Sequence, residues 1–166
     1  LIKEYPLGVT AERIAKNFEL AEKFPESFVW YFRAMQVGHA HRNERQLQVV
    51  VERLHSIESK QNSLLLDYYS ESSLEIVRLW SSVSLLFIKG EYLTCIKLLE
   101  NLDSIKPSGF ADQTPLFIEG LIKLWSLKAQ CFDKTGAHEE SIAPIQQAIE
   151  IATDFEMKPV LIIDLE

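Results

Sequence analysis

Residues 125–152 read WSLKAQCFDKTGAHEESIAPIQQAIEIA, and the reading of this stretch decides the fold. Trp125, Ala129 and Phe132 recur at helical spacing, Gly136 interrupts them, and Ser141, Ile145 and Ala148 resume the pattern. The small residues Ala129, Ser141 and Ala148 let two helices approach closely, while Trp125, Phe132 and Ile145 fill the space that remains. A helix ending at Gly136 and a second from about His138 to Thr153 are therefore expected.

Working outward, Thr114 followed by Pro115 is a cap and first-turn signature, so the helix before Gly136 opens there. Residues Lys106 to Asp112, with Pro107, Ser108 and Gly109, read as a loop. Before it, a helix from Glu91 to about Ser104 follows Gly90, which closes a helical stretch from Leu64 to Lys89 interrupted near Ser70, Ser72 and Ser73. Asn62 and Ser63 mark a break after a helix from Glu44 to Lys60, whose buried stripe is Leu47, Val50, Val51, Leu54 and Ile57. Nearer the start, Thr10 caps a helix to about Lys23 with Ile14, Phe18, Leu20 and Ala21 inward. Pro25 punctuates, and a helix carrying Phe28, Val29, Tyr31, Phe32 and Met35 frays near Gly38. A last helix from about Met157 carries Val160, Leu161 and Ile162, apolar enough to pack on a further element or a second copy. The fold class is all-α: about eight helices joined by short turns as antiparallel hairpins.

The 125–152 stretch resembles the tetratricopeptide (TPR) repeat. Trp125, Ala129 and Phe132 take the first-helix positions, Gly136 the turn, and Ser141, Ile145 and Ala148 the second helix. Lys128 departs from a usual Leu and Thr153 from a closing Pro. A second unit matches with Val83, Leu86, Gly90, Tyr92, Cys95, Leu99 and Pro107. In that unit Leu102 stands where Ala is usual and should splay the hairpin. The turn glycines, at 90 and 136, are 46 residues apart, longer than the roughly 34 of a regular repeat. A third hairpin from Phe28 to Ile57 has the outline without the turn glycine. The resemblance implies one TPR-like domain over 1–166, a right-handed superhelix with its clearest units at 76–107 and 122–153. It also reads as a piece of a longer chain, beginning at Leu1 without Met or a leader-like segment.

Composition narrows the function classes. An apolar fraction of 47% and a charged fraction of 25% suit a globular domain that buries its own core. A net charge of −7, with only Arg42, Arg45 and Arg53 near one another, argues against nucleic acid as a partner. No apolar run approaches the roughly 18 residues that span a bilayer, so no membrane partner is expected. Cys95 and Cys131 lie in apolar helical stretches and read as buried structural thiols, with a disulfide or reactive site as the alternative. Free thiols imply a reducing, intracellular setting, cytoplasmic or nuclear.

Catalytic signals are not evident. His39 and His41 point to different sides of a helix, and with His55 and His138 read as surface side chains, so neither metal nor cofactor is expected. Glu139–Glu140 and Asp164–Glu166 read as solvated charge. There is no phosphate loop, nucleophile elbow or HExxH, and no enzyme is expected.

What the TPR resemblance implies instead is a concave face lined by each unit's first helix. Carried over by position, the last unit offers Lys123, Ser126, Gln130, Asp133 and Lys134, and the preceding one Val77, Trp80, Ser84, Phe87 and Ile88. Trp80 reads either as core or, with Phe87 two turns on, as an anchor for an apolar peptide. The expected function is a non-enzymatic scaffold or adaptor holding a partner's peptide or helix. The alternative is a regulatory domain whose groove senses a small effector or signalling peptide.

Overall fold

The computed structural model describes residues 7–106 and 115–155, all helix and turn with no strand among them. Seven α-helices and one 3-10 turn are present there, and the chain divides into two compact units between Ser70 and Glu71. The expected helix from Met157, Pro107 and the Thr114 cap lie outside the described residues.

The first unit holds α1 (Leu7–Leu20), α2 (Phe24–Ala40) and α3 (Glu44–Tyr68), each packed on the next. Ala11 and Ala15 on α1 are buried, and the Ser27 hydroxyl donates to the Ala15 carbonyl at 2.8 Å, so α1 and α2 run with little between their backbones. Phe28, Tyr31, Phe32, Met35, Leu47, Val50 and Leu54 fill the rest of the core. The expected fraying at Gly38 does not occur. α2 continues to Ala40, because α3 covers Gly38 so closely that an added Cβ would lie 3.3 Å from the Gln46 side chain.

Nor does α3 end at Asn62. The break expected there is a kink, with non-helical backbone at Gln61 (φ −125°), beyond which helix runs on to Tyr68, where Leu65 is fully buried and the next residue is tied down. The Tyr69 hydroxyl donates to the Pro25 carbonyl at 2.8 Å, and its ring stacks on Phe28 at 6.2 Å. Burial first, then the Glu26 charge, push the Tyr69 hydroxyl up to about 12.

The second unit holds α4 (Glu71–Ile88), α5 (Tyr92–Leu98), the 3-10 turn Leu102–Ser104, α6 (Pro115–Lys134) and α7 (Ile142–Asp154). α6 is its centre, packing on α4, α5 and α7. Eleven of its residues are buried, from Leu116 to Cys131. α5 is shorter than the expected 91–104 helix. It stops after two turns, and Leu102 reaches the core from the 3-10 turn, a Leu being too bulky for a close second helix at that point. α7 begins at Ile142, four residues later than expected, because 138–141 form a turn. The motif's small positions are buried as the packing argument requires: Ala129 at 2%, Ser141 at 5% and Ala148 at 0% exposed.

Four helix ends close in the same way, with one residue at positive φ and paired backbone bonds. The N–H of Lys23, Asn43, Glu91 and Ala137 returns five residues to Phe18, Gly38, Leu86 and Phe132. The left-handed residue is Gly90 (φ +81°) or Gly136 (φ +82°) in the second unit, but Glu22 (φ +57°) and Arg42 (φ +52°) in the first.

Candidate partner-binding face

Lys123, Ser126, Gln130 and Lys134 recur every three or four residues, so α6 sets them on one side. Lys123 and Ser126 are half-buried, Gln130 and Lys134 exposed, and the Gln130 amide donates to the Ser126 hydroxyl at 3.3 Å. This is the outer stripe left by the buried residues of α6, and it contains the positions carried over for the last unit.

The α4 half of the expected face does not accompany it. Trp80 is 2% exposed, Ser84 0% and Phe87 7%. The Trp80 indole N–H donates to the Gly120 carbonyl of α6 at 2.9 Å, and Phe87 meets Tyr92 edge-on at 5.4 Å. Val77, Trp80, Ser84 and Phe87 are one helical seam, and the seam is turned inward, so these residues are core. The Ser84 hydroxyl is buried without a hydrogen-bond partner, and the structure offers no physical account of it.

On the opposite side of α6, about half a turn from the polar stripe, a cleft of about 380 Å³ opens toward α7. Trp125, Phe132 and Pro144 form its apolar walls, and Lys128, Glu140 and Gln147 its polar ones. The Lys128 ammonium lies over the Trp125 ring, 5.1 Å from its centroid. The sequence treated this residue as a departure and missed the cleft.

At the α6–α7 turn, Asp133, His138 and Ser141 come together. His138 Nδ1 is 3.1 Å from the Asp133 carboxylate, and the Ser141 hydroxyl donates to the His138 carbonyl at 2.7 Å. The bond to His138, then one to Ser141, hold the Asp133 carboxyl below its usual range. Nucleophilic catalysis would need the serine hydroxyl on the free ring nitrogen of the histidine. Here the hydroxyl donates to the His138 backbone carbonyl, so the cluster staples a turn.

Arg53 of α3 lies 3.6 Å from Glu19 of α1, whose other carboxylate oxygen accepts from the Tyr31 hydroxyl of α2 at 2.7 Å. Burial, then the Glu19 hydrogen bond, raise the Tyr31 hydroxyl. That contact joins three helices of the first unit and has no signature in local sequence. Among the described residues no group of three His, Cys, Asp or Glu side chains is placed to hold a metal ion. No helix among them is long and apolar enough to cross a membrane.

No family model, curated protein or solved structure matches the chain.

Proposed function

We propose that the chain is a non-enzymatic protein-interaction module, a TPR-like scaffold or adaptor segment that holds a peptide or helix of a partner protein along α6. The observation that carries this reading is the continuous stripe Lys123–Ser126–Gln130–Lys134 along one side of a helix that buries eleven of its residues. A long helix anchored by its buried residues presents its outer side chains on a backbone with little entropy left to lose on binding. The closely packed α6–α7 hairpin and its glycine-closed turn support the TPR-like reading of these two helices.

The test is an affinity capture with this chain as bait, followed by the Lys123→Glu/Lys134→Glu variant with its helicity checked by circular dichroism. A partner held by the wild type and released by the folded variant is the expected result. A partner held equally by both removes α6 from the interface.

The second reading, a domain that senses a small effector, is favoured by the Trp125–Phe132–Pro144 cleft, whose volume falls within the range of small-ligand pockets. Under that reading a small ligand raises the melting temperature, and Trp125→Leu abolishes the rise.

A further inference from the structure

α5 and α7 both pack on α6, but α5 ends at Leu98, and the 3-10 turn that follows brings Asp103 into the wall of the cleft over α6. Glu140, in the turn before α7, and Lys128 of α6 line the same cleft. Three charges of both signs therefore share one space. Asp103 and Glu140 are exposed, Lys128 is half-buried, and among the described residues none of the three belongs to an ion pair. The carboxylates and the ammonium thus do not neutralise one another. The contact with the Trp125 ring fixes the ammonium and leaves its N–H donors for an acceptor.

The charges restrict what the cleft can take. An entirely apolar ligand would strip water from charged groups and give nothing back. A ligand with one charge would pair with one sign and leave the other facing it. Only a molecule carrying both signs beside an apolar body matches the carboxylates, the ammonium and the Trp125–Phe132–Pro144 wall together.

We propose that this cleft binds a small amphipathic zwitterion, the chemistry of a free α-amino acid with an apolar or aromatic side chain. The ligand carboxylate accepts from the Lys128 ammonium, the ligand ammonium donates to the Asp103 or Glu140 carboxylate, and the side chain lies on Phe132 and Pro144. A volume of about 380 Å³ is near the lower end for small-ligand pockets, which suits a single amino acid better than a long peptide. The inference rests on the second reading above, a domain that senses a small effector in this cleft, and names the class of that effector.

The test titrates the whole isotope-labelled chain with L-phenylalanine, with phenethylamine, which lacks the carboxylate, and with hydrocinnamate, which lacks the ammonium. Binding is read by NMR at the Trp125 indole N–H and the Gln147 side-chain amide, both in the cleft. Saturable shifts at both groups are expected with L-phenylalanine, and several-fold weaker binding with each singly charged analogue. Two variants assign the charges. Lys128→Met keeps an unbranched stem and should bind L-phenylalanine no better than phenethylamine. Asp103→Asn/Glu140→Gln should bind it no better than hydrocinnamate. Equal affinity of the wild type for all three compounds, or tighter binding of either analogue, overturns the zwitterion and leaves a small-ligand cleft in place. No shift at Trp125 or Gln147 with any of the three at millimolar concentration, or shifts confined to residues elsewhere, overturns the proposal and removes the cleft as an effector site.

Discussion

Replacing Trp80 separates its two readings by energy. As a groove anchor, its truncation would leave the fold within about 0.5 kcal/mol of the wild type, the range of exposed substitutions. The structure puts the ring at 2% exposure against α6 with its N–H on the Gly120 carbonyl at 2.9 Å. A Trp side chain buries roughly 150–250 Å², and at about 25 cal/mol per Å² that is on the order of 4–6 kcal/mol of transfer free energy. Compact unfolded chains and partial collapse around the gap reduce it, so Trp80→Ala should cost about 3–5 kcal/mol. Trp80→Phe keeps most of the apolar volume and loses the hydrogen bond, so about 1–2 kcal/mol is expected. Urea unfolding followed by circular dichroism, with Trp125 fluorescence as a reporter inside the same unit, measures both. The reasoning is refuted if Trp80→Ala leaves the Trp125 transition where the wild type has it. A cost for Phe equal to that for Ala would refute the division between ring packing and hydrogen bond.

Ala148 is fully buried against α6, so Ala148→Leu should overpack the α6–α7 hairpin and cost about 1–3 kcal/mol by denaturant midpoint. Arg42→Gly relieves a left-handed residue (φ +52°) and should raise first-unit stability by about 0.5–1 kcal/mol, whereas Gly136→Ala imposes one (φ +82°) in open space and should cost about 1 kcal/mol in thermal melts. Tyr69 titrates near 12 in the fold against an ordinary 10.0, so its contribution is complete below pH 10 and is lost as pH rises toward 12. Chemical denaturation across that window should show first-unit stability falling less steeply in Tyr69→Phe. Removing His138 as His138→Ala should raise the Asp133 midpoint toward its ordinary 3.8, read by NMR titration of the carboxyl.

Helices were legible where sequence and packing agreed. Gly90 and Gly136 announced their turns because glycine takes a left-handed conformation without strain, while Glu22 and Arg42 occupy the same position without that signal. Their turns follow from the packing of α1 on α2 and α2 on α3. Asn62 and Ser63 are weak helix residues, and the backbone kinks beside them at Gln61 before the burial of Leu65 and the Tyr69 tie to Pro25 hold the second helical stretch. The candidate face was legible on α6 alone. There charged and polar residues alternate with apolar ones, so the pattern distinguishes the inner from the outer side. On α4 the Val77–Trp80–Ser84–Phe87 stripe says that something covers these residues, and the same periodicity describes a core neighbour or a bound peptide. The Glu19–Tyr31–Arg53 link depends on which helices become neighbours, a property that spacing along the chain does not carry.

The chemistry of the α6 stripe constrains what can bind there. Lys123 and Lys134 are eleven residues apart, roughly 16 Å along the axis at 1.5 Å per residue. A partner meets both with acidic groups three helical turns apart, or about five residues apart on an extended strand. Between the lysines, Ser126 and Gln130 already satisfy one another, so engaging them means exchanging that bond for an equivalent one. Each surface lysine pair adds only about 0.2–1 kcal/mol, and its reach is screened beyond roughly 8–10 Å at physiological salt. A complex built on this stripe therefore draws its specificity and association rate from charge, and its affinity falls steeply as salt is raised. A salt titration of the captured complex tests this. Loss of binding between low and physiological ionic strength is expected, and indifference to salt would take the lysines out of the interface.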